Sequence, residues 1–185
     1  MRVRKICDLR IFGLLLVLFA SCQNLRPEQV AIPEYPDLRG LAKAQAVLLH
    51  ENTLLKKVQL DDQSEEKSFS MDSVEWMEEL AFLEELNPNL PEYIGAFDVE
   101  DLDNGVSLIL KKGEKGILKK LSITNSGSAF SSIIGVVHED KDVYTHHRNI
   151  EVQFSNGKIK SYEIIGYQKI LLKDTVNFKI SGVLE

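Results

Sequence analysis

The chain has 185 residues, which is enough for one domain with a single hydrophobic core. Hydrophobic residues make up 44% of it and charged residues 27%, a composition that excludes a wholly disordered protein. The first 21 positions hold four of the 22 basic and one of the 28 acidic residues, so the rest carries a net charge of −9. Such a surface repels phosphate backbones and anionic lipid headgroups, which argues against a nucleic-acid partner and against direct adsorption to lipid.

Residues 1–21 have the layout of a secretory signal. A basic stretch at residues 1–10 precedes an apolar run at residues 11–20. That run is too short to cross a bilayer as a helix, which needs roughly 20 residues. Two small residues, Ala20 and Ser21, then lead directly into Cys22. This ending resembles the lipobox of bacterial lipoproteins.

The resemblance implies that the signal is cleaved before Cys22 and that this residue carries the lipid, including palmitate, that anchors the chain to a membrane. The alternative is an ordinary signal peptide cut nearby, which would leave an unmodified cysteine. The only other cysteine, Cys7, lies in the segment that is removed. A lipidated mature chain therefore has no free thiol, which excludes a disulfide, a thiolate zinc site and a cysteine nucleophile.

Residues 22–36 are predicted to form an extended tether, because they contain three prolines and show neither a helical nor a strand period. In the lipoproteins that the chain resembles, an acidic cluster just after the cysteine often signals display on the cell surface. Residues 23–27 have no such cluster. We therefore expect the chain to be anchored in the outer membrane and to face the periplasm.

The first predicted helix covers residues 38–55 and is capped by Asp37. Its apolar stripe would consist of Leu41, Ala44, Leu48 and Leu55, with Val47 beside it. Glu51 falls inside this stripe, where an unpaired carboxylate would be unfavourable. It is interpreted either as a polar group facing a cavity or as a satisfied residue at the margin of the stripe.

A small hairpin is predicted at residues 57–69, followed by a second helix at residues 73–86. Asp72 and Glu75 form a capping-box pattern at the start of that helix. Trp76 lies in the middle of its apolar arc and is predicted to be buried against the sheet. The hairpin's acids lack the glycine and the oxygen spacing of a calcium loop, so no metal is assigned there.

From Phe97 onward the hydrophobic period is two, and short turns separate about seven strands. The strongest turn is Asn156-Gly157, a dipeptide typical of a type I′ hairpin. A bulge is expected at residues 164–166, where the alternation breaks. Residues 37–185 are therefore predicted to be one α+β domain, with two N-terminal helices packed on a curved antiparallel meander sheet of about seven strands.

Four short motifs are spread over the chain, namely residues 35–40, the hairpin at residues 57–67, Trp76 with Glu79-Leu80, and residues 166–168. Together they look like motifs of uncharacterised envelope lipoproteins of the Bacteroidota. The resemblance implies a lipid-anchored location and a fold that combines helices with a long antiparallel sheet. It assigns no catalytic or binding residue.

The sequence contains no nucleophile elbow, phosphate-binding glycine loop, H-E-x-x-H or C-x-x-C motif. His138 and His146 flank a turn expected at residues 139–142. With Glu139 they could form an unspecific metal site. Exposed histidines at a strand edge are the simpler interpretation. His146 and His147 are adjacent in a strand and must point to opposite faces. Three tyrosines, namely Tyr144, Tyr162 and Tyr167, could line one face of the sheet. We assign no catalytic residue, no metal and no cofactor.

The sequence thus predicts a noncatalytic lipoprotein that binds an envelope protein or supports envelope assembly. The alternative is a carrier of a lipid or small apolar ligand in the hollow of the curved sheet, and an enzyme is the third hypothesis. A large apolar cavity between helices and sheet would favour the carrier. A filled core together with an exposed apolar patch would favour the binding protein.

Overall fold

A computed structural model describes residues 35–185, which belong to one compact unit. Its helices are α1 (Leu38–Leu48), α2 (Ser73–Glu79) and α3 (Phe82–Glu85), with a 3-10 turn at Pro91–Tyr93. Its strands are β1 (Thr53–Leu60), β2 (Gln63–Ser70), β3 (Phe97–Leu102), β4 (Gly105–Leu110), β5 (Leu118–Ser126), β6 (Ala129–Lys141), β7 (Tyr144–Ser155), β8 (Lys158–Ile170) and β9 (Val176–Leu184). The predicted signal segment, Cys22 and the predicted tether up to residue 34 lie outside the described residues.

All nine strands form one antiparallel sheet in the order β2-β1-β9-β8-β7-β6-β5-β4-β3. The prediction of two N-terminal helices on a sheet of about seven strands is therefore wrong. Strands β3 to β9 are the predicted meander, but the N-terminal hairpin β1-β2 joins the same sheet, because β1 pairs with the last strand. In that pairing Leu54 lies opposite Leu184. No local sequence pattern predicts this contact, because the two residues are far apart in the chain.

The helices are also shorter than predicted. Helix α1 ends at Leu48, and Leu55 belongs to β1 rather than to the helix. The predicted second helix is broken at Leu80 and Ala81 into α2 and α3. The described chain is therefore mainly an antiparallel sheet with three short α-helices.

The buried side of α1 differs from the predicted stripe. Ala44, Val47 and Leu48 are exposed. The side that faces the core consists of Leu38, Ala42, Gln45 and Ala46, followed by Leu49. Small alanines on this side allow the helix to approach its neighbours closely. Glu51 lies beyond the helix, is exposed, and has a φ of 62°, so its predicted place in an apolar stripe is wrong.

The second helical segment begins as predicted. Asp72 accepts hydrogen bonds from the backbone N–H groups of Val74 and Glu75, and the Glu75 side chain accepts one from the Asp72 N–H. The predicted burial of Trp76 is confirmed, since its side chain is 0% exposed within the core.

Side chains alternate between the two faces of the sheet, and the helices pack on one of them. On this helix-covered face Ile150, Val152 and Tyr162 are buried. No helix of residues 35–185 packs on the opposite side, which we call the helix-free face. Gly135 lies under α3, where a Cβ atom would collide with the side chain of Leu86.

The two ends of the sheet are named here after a residue in one of their turns. The Asn156 end contains the turns at residues 103–104, 127–128 and 156–157. The Leu172 end contains the turns at residues 61–62, 111–117, 142–143 and 171–175. Asn156 and Gly157 have φ angles of 52° and 75°, which confirms the predicted turn with two positive φ angles.

Buried polar contacts attach the helices near the Asn156 end. The Gln45 amide donates to the carbonyl of Gly157 (2.8 Å) and accepts from the N–H of Ile159 (2.8 Å). Further along, Tyr162 donates to the carboxylate of Glu79, which also pairs with Lys56. Burial and the Glu79 hydrogen bond raise the pKa of Tyr162, so its hydroxyl stays protonated and remains a donor.

Candidate functional site

A shallow groove of about 390 Å³ crosses the helix-free face on strands β1, β9, β8 and β7. We call it the sheet groove. Its lining residues are Gln59, Asp61, His147, Asn149, Ile165, Gly166, Tyr167, Asn177, Phe178 and Lys179. Phe178 borders the groove, but its ring lies on the helix-covered face beside His146. Apart from Asp61, in the turn after β1, the lining residues come from four strands that the topology places side by side.

Strand register brings the groove's side chains into rows. His147 lies opposite Tyr167, and Tyr167 lies opposite Asn177 on the next strand. A bulge at Lys160 sets this register, since Phe154 pairs with Ile159 but Gln153 pairs with Ser161. The bulge was predicted at residues 164–166 and therefore lies elsewhere.

Aromatic rings form one wall of the sheet groove. The rings of His147 and Tyr167 stack with centroids 5.5 Å apart and planes 27° apart. His138 follows on the other side of His147, at 5.7 Å between centroids. Burial and the neighbouring His138 lower the pKa of His147, so its ring is neutral near pH 7. This wall offers flat ring surfaces and the neutral imidazole of His147.

Hydrogen bonds fix the opposite wall. The Asp61 carboxylate accepts from the backbone N–H of Asn177 (2.9 Å) and from its side-chain amide (3.4 Å). The Gln59 amide donates to the carbonyl of Asp61 (3.0 Å). Asp61 has a φ of 48°, a left-handed conformation that aspartate tolerates better than most residues. The polar groups of this wall are thus held in place before any partner arrives.

A second depression of about 280 Å³ continues the sheet groove toward the Asn156 end. It shares Gln59 and Lys179 with the groove and adds Lys57, Glu163 and Ser181. The ammonium group of Lys179 lies 2.6 Å from the carboxylate of Glu163. The two depressions therefore form one continuous surface that carries charges of both signs.

The hypothetical metal site is not assembled. His138 lies opposite His147 on the helix-free face, whereas Glu139 and His146 lie opposite each other on the helix-covered face. The expected turn at residues 139–142 is wrong, because β6 continues to Lys141. Within residues 35–185, no group of three or more His, Cys, Asp or Glu side chains is placed to hold a metal ion. The prediction that His146 and His147 point to opposite faces is confirmed.

The three tyrosines do not share a face. Tyr162 and Tyr144 lie on the helix-covered face, and Tyr167 alone lies in the sheet groove. Tyr162 is buried, with its ring 5.2 Å from that of Phe82, so it holds the helices on the sheet. Tyr162 and Tyr167 are an odd number of residues apart on one strand, so the alternation of side chains predicts that they point to opposite faces.

Comparison with known proteins finds no family model that matches the chain, no similar curated protein and no similar solved structure. Among the described helices, none has the length and hydropathy needed to span a membrane. The sheet groove is therefore interpreted from its own residues. It offers stacking surfaces, fixed amides and exposed charges, which suit recognition of a polar surface.

Proposed function

We propose that this chain is a lipoprotein anchored through Cys22 to the outer membrane, facing the periplasm, and that it binds a protein partner without catalysing a reaction. The observation that carries the binding role is the sheet groove, a set of fixed polar and aromatic side chains on the face that the described helices leave uncovered. The anchor rests on the basic, apolar and small-residue sequence that leads into Cys22.

The chemistry of the groove favours a protein partner. Tyrosine provides a large rigid contact surface, and asparagine and glutamine side chains provide adaptable hydrogen bonds, as in many protein interfaces. The adjoining pair of Lys179 and Glu163 adds charges of both signs, which would fix the register of a partner rather than select a net charge. The groove is shallow enough to admit an extended segment lying across the strands.

The alternative function, a carrier of a lipid or small apolar ligand, would use a hollow between the sheet and the helices. Trp76 and Leu83 of the helices, and Leu80 between them, are fully buried on the helix-covered face. On the strands beneath them, Leu121 and Ile150 are fully buried as well. The filled core gives the carrier less support than the binding protein.

The groove also supports a noncatalytic role. His147 is the groove residue most suited to acid–base chemistry, and its described contacts are the rings of His138 and Tyr167. General acid–base catalysis needs a group positioned on a substrate proton and usually oriented by a further polar residue. Ring stacking orients His147 as a contact surface instead.

A site-specific photo-crosslinker tests the proposed binding face in intact cells. Placed at the exposed Asn149 in the groove, it should give one discrete protein adduct, and the adduct should weaken when Tyr167→Ala is added. The matched control is Val74 on α2, which is 66% exposed and lies on the helix-covered side. Equal adducts from both positions, or an adduct at Asn149 that Tyr167→Ala leaves unchanged, would contradict the proposal.

A further inference from the structure

Two neighbouring turns at the Leu172 end present aliphatic side chains to solvent. Leu172 is 97% exposed, Leu171 60% and Val143 58%. The backbone N–H of Leu171 donates to the carbonyl of Val143 (2.9 Å), so the two turns are joined. Together with Ile170 we call these residues the leucine tip. An exposed apolar cluster of this kind is typical of a site that contacts another protein or a membrane.

The backbone of the tip places Leu172 outward. Its φ is +63°, a left-handed conformation that glycine or asparagine adopts far more readily than leucine. A hydrogen bond from the N–H of Lys173 to the carbonyl of Ile170 (3.0 Å) closes the turn. Folding of the domain gains nothing from a leucine at this position, because the side chain is almost completely solvated.

The described chain begins beside β3, and strand register places this point level with the middle of β7 and β8. The N–H of Tyr35 donates to the side-chain carbonyl of Asn89 (3.0 Å), and the Tyr35 ring lies 6.3 Å from that of Phe97. Phe97 is the first residue of β3 and pairs with Leu110, just before the turn at residues 111–117 of the Leu172 end. Thirteen residue steps separate Cys22 from Tyr35, and they can span at most about 45 Å.

Charges of both signs surround the tip. Lys141, Lys169 and Lys173 lie beside it together with Asp140, Asp142 and Asp174, and Glu139 lies 3.5 Å from the Lys141 ammonium group. The lysines offset part of the negative charge of the acids around them. A lipid anchor would hold the tip at a high effective concentration near the membrane, so a small apolar contact is enough to orient the domain.

We propose that the leucine tip inserts into the interfacial layer of the same bilayer that holds the anchor. The inference rests on the lipid anchor of the proposed function and adds an orientation to it. With the tip at the membrane, the long strands point away from the surface, and the sheet groove faces sideways into the periplasm. The partner in this contact is the lipid surface itself.

Spin labelling of the lipidated full-length mature chain in phosphatidylcholine vesicles tests this contact. A nitroxide on Leu172→Cys should collide more with dissolved oxygen and less with a water-soluble nickel chelate than the same label on Ser128→Cys, an exposed turn residue at the Asn156 end. A label on Val143→Cys should show the same preference, less strongly. Wild-type chain, with Cys22 blocked by lipid, should take up no label.

The outcomes separate the two proposals. If the chain floats with vesicles but the labels at positions 172 and 128 are equally exposed to the nickel chelate, the tip does not touch the bilayer, and the anchor stands. If the wild-type chain takes up label and does not float, the anchor is wrong, and the membrane contact of the tip is rejected with it.

Discussion

The Asn156 end and the Leu172 end of the sheet are built from different residues. At the Asn156 end the turns are polar or glycine-containing, as at Gly127-Ser128 and Asn156-Gly157, and α1 packs close by. At the Leu172 end the strands β7 to β9 continue beyond the helices, and their turns carry exposed Leu171 and Leu172. The Asn156 end therefore stabilises the fold, whereas the Leu172 end exposes apolar side chains that contribute little to its stability.

The helix-covered face shows the same contrast along single strands. On β7, Ile150 and Val152 are fully buried near the helices, while His146 is partly exposed near the other end. On β9 the ring of Phe178 lies 5.9 Å from that of His146, and Phe178 is also only partly covered. Substitutions at the Asn156 end should therefore lower the stability of the fold. Substitutions at the Leu172 end should instead weaken contacts that the domain makes with other molecules.

The largest effect is expected from Trp76→Ala, in the helix-covered region. Removing a fully buried tryptophan side chain leaves a cavity and should lower the free energy of unfolding by about 3–5 kcal/mol. Urea unfolding followed by circular dichroism measures the change. Val74→Ala, on the exposed side of the same helix, is the control and should change it by less than about 0.5 kcal/mol. A loss below about 1 kcal/mol for Trp76→Ala would place this residue outside the core.

A smaller loss is expected from Gln45→Ala. This change removes two hydrogen bonds and leaves the buried N–H of Ile159 without its acceptor, which should lower the free energy of unfolding by about 1–3 kcal/mol. In the unfolded chain Gln45 is exposed and makes neither hydrogen bond, so the substitution acts on the folded state. Lys43→Ala, an exposed change on the same helix, should be close to neutral. Equal effects of the two substitutions would show that Gln45 does not fix the Asn156 end.

Leu172→Asn should have the opposite sign. Asparagine tolerates the left-handed conformation better than leucine, and no buried contact is lost, so the free energy of unfolding should rise by about 0.5 kcal/mol. The same change should weaken the membrane contact of the leucine tip. A clear decrease in stability would mean that Leu172 packs against the domain and would remove the contrast between the two ends.

The smallest expected effect is a dependence of the free energy of unfolding on pH, which arises from histidines toward the Leu172 end. Burial lowers the pKa values of His146 and His147, and Arg148 adds to the shift of His146 while His138 adds to that of His147. Below the ordinary value of 6.5 the unfolded chain binds more protons than the folded one, so the free energy of unfolding falls as the pH falls through that value. Urea unfolding at about pH 7.5 and about pH 5.5 should show this loss. His147→Gln should reduce it, whereas Val74→Ala, which changes no titratable group, should not.

Local signals predicted the local structure well. The pattern of Asp72 and Glu75 predicted a capped helix start, and Asn156-Gly157 predicted a hairpin, because the physical cause of each lies within four residues. The position of β1 beside β9 could not be predicted in this way, since it joins residues more than a hundred positions apart. The buried side of α1 was missed for a related reason. Its Ala42 and Gln45 are buried by tertiary contacts that outweigh the preference of Val47 and Leu48 for the interior.

The candidate site depends on register, which the sequence specifies only weakly. Continuing the hairpin from Asn156-Gly157 without a bulge would place His147 opposite Gly166, and the ring stack with Tyr167 would be lost. The bulge at Lys160 shifts the pairing by one residue and creates the aromatic wall. Alternation alone, by contrast, was enough to separate His146 from His147.

The lipid anchor at Cys22 is the claim on which the location, the proposed partner binding and the orientation of the leucine tip all depend. Metabolic labelling with a palmitate analogue tests it directly, with Cys22→Ala as the variant. The account predicts that the wild-type chain is labelled and fractionates with membranes, whereas Cys22→Ala is unlabelled and is released from them. A Cys22→Ala chain that is still labelled and still fractionates with membranes would contradict it.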